Sequence, residues 1–124
     1  MKILVVDDDK EMLSELSAKL SGKGYEVFIT DNGVESFRII SEEKIDLVIS
    51  DVRMPCLSGF TLITMLKSFY FSNIPVILIS SCKQEPLILN SHGIEDASFF
   101  SKPIDFVSLF KRIEEFSPGK IQLV

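Results

Sequence analysis

Short apolar runs rich in β-branched residues alternate with stretches of helical periodicity from one end of the chain to the other. The runs predict strands over Lys2–Val6, Tyr25–Thr30, Asp46–Ser50, Pro75–Ser80 and Ser98–Ser101. Ile3-Leu4-Val5-Val6, Leu47-Val48-Ile49 and Val76-Ile77-Leu78-Ile79 are apolar without a break, as expected of strands covered on both faces. In the first predicted helix Met12, Leu13, Leu16 and Leu20 fall on one stripe, with Glu15 and Lys19 as an i,i+4 pair on the wet side. Gly22-Lys23-Gly24 ends that helix. With no strand before it, this G-x-G reads as a C-terminal cap and not as a phosphate loop. The last helix starts near Asp105, a good N-cap residue, and buries Phe106, Leu109, Phe110, Ile113 and Phe116. The fourth helix is expected to be short or mobile, because Pro86 sits near its start, Leu87-Ile88-Leu89 shows no stripe, and His92-Gly93 ends it. Five strand–helix repeats predict an α/β fold around a five-stranded parallel sheet. Ser117-Pro118-Gly119-Lys120 reads as an exit from the domain, which places the domain at 1–117 and a tail or linker at 118–124.

The length of 124 residues suits one core, and 46% hydrophobic with 25% charged residues excludes a disordered chain. A net charge of -5 speaks against direct nucleic-acid binding, which normally needs a basic face. No apolar run approaches the roughly 18 residues of a membrane span, so a cytoplasmic location without membrane contact is expected. Cys56 and Cys82 lack C-x-x-C spacing and are expected to be free thiols, and a lone His92 near a helix end is a poor metal ligand.

In an open parallel sheet, functional groups collect at the carboxyl ends of the strands, near the point where the winding reverses. That rule selects Asp7-Asp8-Asp9 after the first strand, Asp51 after the third, Ser80-Ser81 after the fourth and Lys102-Pro103 after the fifth. Two carboxylates about 4 Å apart repel by roughly 4 kcal/mol at an effective dielectric near 20, so a cation must offset them. A hard divalent ion such as Mg²⁺ suits one or two carboxylates, waters and a phosphate oxygen. With that charge and Lys102 nearby, a carboxylate such as Asp51 can attack a phosphoryl group and form an acyl phosphate. Asp9 is better read as a helix cap.

Lys2 to Asp8 as KILVVDD, Asp51 to Gly59 as DVRMPCLSG, Ser80 after an apolar strand, and Lys102-Pro103 resemble, in this order, a response-regulator receiver domain. The resemblance covers nearly the whole chain. It implies a doubly wound (βα)5, flavodoxin-like three-layer sandwich with strand order 2-1-3-4-5. It implies that Asp51 is the phosphoacceptor, that Asp8 ligates Mg²⁺ (or Mn²⁺) directly and Asp7 through water, and that the Arg53 carbonyl is a further ligand. Lys102 would pair with a phosphoryl oxygen, its bond to Pro103 held cis. The hydroxyl of Ser80 would move toward the phosphate while Phe99 fills the space it leaves, changing the surface of the fourth helix, fifth strand and fifth helix. The phosphate donor would be a histidine kinase or phosphotransfer protein. The chain would be no enzyme beyond its own phosphorylation and autodephosphorylation, and its output would lie in a partner or in an effector domain beyond Val124. Leu87 or Leu89 would support a homodimer. Three residues depart from the family pattern: Phe99 stands where many relatives have Tyr, Ser81 replaces a small Ala, and Gly93 precedes the usual Gly position.

Three other functions compete. A flavin-binding flavodoxin-like protein shares the strand order, but Asp7-Asp8-Asp9 would repel a cofactor phosphate. An aspartate-based phosphohydrolase of the haloacid dehalogenase type needs a second acid two residues on, where this chain has Arg53. A receiver-like binding module that is never phosphorylated would have no need of the full acid, hydroxyl and lysine set.

Overall fold

Apolar β-branched sequence gives β1 (Lys2–Val6), β2 (Glu26–Thr30), β3 (Leu47–Asp51), β4 (Val76–Ser80) and β5 (Ser98–Ser101). In the computed structural model, which describes residues 1–51, 74–80 and 98–116, they form one sheet in the order β2-β1-β3-β4-β5 with every pair parallel. This is the predicted doubly wound order. Three strands begin one residue later than the apolar pattern suggests. Tyr25 is held in the preceding turn by its N–H on the Leu20 carbonyl, and Pro75 has no N–H to give a ladder. Asp46 stays outside β3, where its carboxylate accepts the Lys2 N–H at 2.8 Å.

The described helices are α1 (Lys10–Gly22), α2 (Gly33–Glu43) and α3 (Phe106–Glu115). Each starts on a side chain that accepts two backbone N–H groups: Asp9 for α1, Asn32 for α2 and Asp105 for α3. α1 ends through Lys23, and Gly24 follows at φ +92°, a conformation that favours glycine.

Alternation along the strands then sorts the core into two layers. Ile3, Val5, Leu47, Ile49, Ile77 and Ile79 pack with Leu13, Leu16 and Leu20 of α1 and with Leu109 and Ile113 of α3. Leu4, Val6 and Val48 face the other way, onto Ile39 and Ile40 of α2. Apart from the half-buried Val76, the unbroken apolar runs of β1, β3 and β4 are therefore buried on both sides, as the sequence indicated. The expected Glu15–Lys19 pair does not form among the described residues. Lys19 instead holds its ammonium 5.0 Å from the centre of the Phe106 ring, and Lys23 lies 4.9 Å from that of Phe110, tying α1 to α3. No described helix is long and apolar enough to cross a membrane. The fourth helix, with Pro86, Leu87, Leu89, His92 and Gly93, and the tail at 118–124 lie outside the described residues.

Candidate functional site: an acid pocket at the carboxyl edge

β1 lies between β2 and β3, so the chain winds in opposite directions from it, and the carboxyl ends of β1 and β3 flank the crevice this creates. Asp7 follows the last residue of β1, and its N–H reaches the Thr30 carbonyl of β2 at 3.2 Å, continuing the strand pairing. Asp51 is the last residue of β3, in register with Ile79 of β4. Alternation puts Asp7 on the sheet face of Ile3 and Val5, and Asp51 on that of Ile49, which is the same face. Lys102 follows β5 and is held to β4 by its N–H on the Ser80 carbonyl at 2.8 Å.

From there the Lys102 ammonium donates to Asp7 Oδ2 at 3.1 Å and to Asp51 Oδ2 at 2.9 Å, joining residues 95 and 51 positions apart in the chain. Oxygens of Asp7, Asp8 and Asp51 all lie within 4.8 Å of one another. Asp7 is fully buried and Asp51 nearly so, while Asp8 is exposed at the mouth. Asp9 caps α1 and gives its own N–H to Asp7 Oδ1 at 2.9 Å, the structural role expected of it.

Among the described residues the charges are not balanced, since one ammonium bonds two of three converging carboxylates. Burial pushes the Asp7 carboxyl up to about 6 from its ordinary 3.8. The Asp9 N–H and Lys102 pull it down and the negative charge of Asp51 pushes it further up, with burial the largest effect. Burial also disfavours the Lys102 ammonium, but its hydrogen bonds to Asp51 and Asp7 outweigh this and its pKa is raised. A buried cluster with surplus negative charge and oxygen ligands fits a small hard cation.

Ser80 is buried at the end of β4, one residue beyond the register partner of Asp51. Ile77 and Ile79 share the face of the acids, so Ser80 starts on the opposite face with Leu78. Phe99, half-buried, is in register with Leu78 and alternates with Phe100, which packs on the acid side, so Phe99 shares the face of Ser80. The two are diagonal neighbours across the β4–β5 pair, within reach of an aromatic ring. The Lys102–Pro103 bond is cis, as the resemblance implied. Arg53, Met54, Pro55, Cys56, Ser58, Gly59, Ser81 and Cys82 lie outside the described residues.

Reasoning from sequence missed one buried polar group next to Asp51 in the chain, on the opposite face of the sheet. Ser50 has no exposed surface, and its hydroxyl donates to the Asp51 carbonyl at 2.9 Å. The available signal was a single hydroxyl closing the apolar run Leu47-Val48-Ile49 immediately before the acid.

Fold and pocket together define a doubly wound parallel α/β protein with a cation-seeking acid cluster at its switch point. The residue pattern of the response regulator receiver domain matches residues 3–114, and the chain belongs to that family, the receiver domains of two-component signal transduction. It is 33% identical over 113 residues to the transcriptional regulatory protein GlrR of Escherichia coli (strain K12), covering 91% of this chain and 25% of that one. It is 32% identical over 119 residues to protein PilH of Pseudomonas aeruginosa, covering 95% and 98%. Its fold superposes, with a TM-score of 0.84 at 31% identity, on the signal receiver domain of a signal transduction histidine kinase from Syntrophus aciditrophicus, covering 95% and 90%. Among curated relatives the chain thus spans as little as a quarter of the relative and as much as nearly all of it.

Proposed function

We propose that this domain receives a phosphoryl group on Asp51 from a histidine kinase or phosphotransfer protein and relays the change to an output partner. One observation carries the reading: the ammonium of Lys102 bonds both Asp7 and Asp51 in a pocket where three carboxylates converge. In the reaction an Asp51 carboxylate oxygen forms a bond to phosphorus. The bond from phosphorus to the donor's imidazole nitrogen breaks and its electron pair stays on nitrogen; the ring leaves protonated on its other nitrogen and so ends neutral. Lys102 can follow a phosphoryl oxygen while keeping its bond to Asp7, holding positive charge where negative charge gathers. Asp7, Asp8, Asp51 and the Arg53 carbonyl would hold Mg²⁺ or Mn²⁺, which neutralises charge on the transferred phosphoryl group.

The acyl phosphate brings close to two negative charges and new acceptor oxygens. In this reading the Ser80 hydroxyl swings toward the phosphate as a donor and Phe99, its diagonal neighbour across the β4–β5 pair, takes up the vacated space, which alters the β5 surface. In this reading the chain turns over no external substrate and loses its phosphate by autodephosphorylation. On the same reading residues 1–117 act as the receiver unit in the cytoplasm, with 118–124 as a tail or the start of a linker.

Acetyl phosphate with Mg²⁺ is expected to add one phosphoryl mass to the wild-type chain and none to Asp51→Asn, by intact mass spectrometry. Equal labelling of both chains removes Asp51 as the acceptor.

A further inference from the structure

Strand β3 buries every residue, and all are apolar except the last two, Ser50 and Asp51. Asp51 is explained by the pocket, whereas Ser50 lies on the opposite face. There, alternation groups it with Val48, and it is in register with Val6 of β1 and Leu78 of β4. An aliphatic side chain would pack in those surroundings with no hydroxyl to desolvate. Instead the hydroxyl finds its acceptor on the next residue, the Asp51 carbonyl, at 2.9 Å.

We propose that Ser50 is a positioning residue for phosphoryl uptake: from the face opposite the acid pocket, its hydroxyl tethers the Asp51 carbonyl and so fixes the direction of the Asp51 carboxylate. The inference rests on Asp51 being the acceptor. Asp51 is the last described residue of β3, in register with Ile79 of β4. A carbonyl pinned there limits rotation about the Asp51 backbone, and with it the path of the Cα–Cβ bond that aims the carboxylate. The 2.9 Å bond from Lys102 fixes the other end of the same side chain. The carboxylate is thus held from both sides of the sheet, and attack on phosphorus needs that alignment.

Ser50→Thr and Ser50→Val are near-isosteric, a hydroxyl in one standing where the other has a methyl, so their comparison, read with the thermal midpoints, separates the tether from packing. Initial rates of phosphoryl uptake would be measured for wild type, Ser50→Ala, Ser50→Thr and Ser50→Val at saturating Mg²⁺ over a range of acetyl phosphate, alongside thermal midpoints. The expected result is a maximal rate about tenfold lower in Ser50→Ala, the scale of one lost hydrogen bond, with half-saturating donor unchanged. Ser50→Thr should run about fivefold or more faster than Ser50→Val at a similar thermal midpoint. The tether is overturned if Ser50→Ala keeps the wild-type rate, if Thr and Val are equally slow, or if rates simply follow the midpoints. An unaffected Ser50→Ala beside an inert Asp51→Asn removes only the tether. Labelling of Asp51→Asn, or none of wild type, removes the phosphoacceptor reading and the role of Ser50 with it.

Discussion

Replacing Asp7 by Asn is expected to stabilise the metal-free protein, although Asp7 sits at the centre of the pocket. Its carboxylate has no exposed surface, and burial, aided by the charge on Asp51, raises its pKa from 3.8 to about 6. At about 1.4 kcal/mol per pH unit, that rise makes ionisation of Asp7 at pH 8 cost the fold about 3 kcal/mol, with the pull of Lys102 already included. Asn is neutral at every pH and keeps an oxygen that can accept the Asp9 N–H, while Lys102 retains its bond to Asp51. A chain of this size unfolds with an entropy that converts about 1 kcal/mol into about 4 °C, so the midpoint should rise by about 10 °C at pH 8. The sign follows from the proton balance. Folded Asp7 keeps its proton to about pH 6 and the unfolded chain releases it near 3.8, so the folded state holds the extra proton between these values. Wild-type stability therefore falls as pH rises through that window, whereas Asp7→Asn shows no such fall. The gap should be close to zero at pH 4 and complete above about pH 7. Thermal melts followed by far-UV circular dichroism in EDTA, from pH 4 to pH 8, measure it directly. Saturating Mg²⁺ should shrink the gap, because a ligand that binds only the folded state stabilises wild type more than the variant that has lost a ligand. An equal or lower midpoint for Asp7→Asn at pH 8, or a gap that does not change with pH, would refute the claim that burial of this charge strains the pocket.

Lys102→Ala should tighten Mg²⁺ binding measured by calorimetry, since the competing ammonium is gone, yet slow phosphoryl uptake about tenfold or more by loss of a phosphoryl-oxygen partner. Weaker Mg²⁺ binding in that variant would contradict the electrostatic picture. Leu16→Ala, at a position with no exposure on α1, should cost about 3 kcal/mol in urea unfolding, and a loss below about 1 kcal/mol would show that α1 is not seated on the sheet. Asn32→Ala removes the acceptor for the Val34 and Glu35 N–H groups and should cost about 1 kcal/mol without changing phosphoryl uptake.

Much of the fold was legible in the chain. The unbroken runs Ile3-Leu4-Val5-Val6 and Val76-Ile77-Leu78-Ile79 read as strands covered on both faces, and Asp105 marked the start of α3 because a cap depends on residues two or three places away. Lys19 was misread for the same reason. The i,i+4 rule counts neighbours on its own helix, whereas in the fold Phe106 of another helix offers its ring to the ammonium.

The candidate site divides along the same line. Sequence alone placed Asp7, Asp8, Asp51, Ser80 and Lys102 at strand ends, because strand limits follow from local patterns of burial and backbone preference. The pairing of Lys102 with two acids, the seclusion of Asp7 against the exposure of Asp8, the raised Asp7 pKa and the Ser50 bond to the Asp51 carbonyl came only from the folded chain. Those properties depend on distance through space and on how much water is excluded. Both are set by which strands lie side by side, something that separation along the chain does not encode.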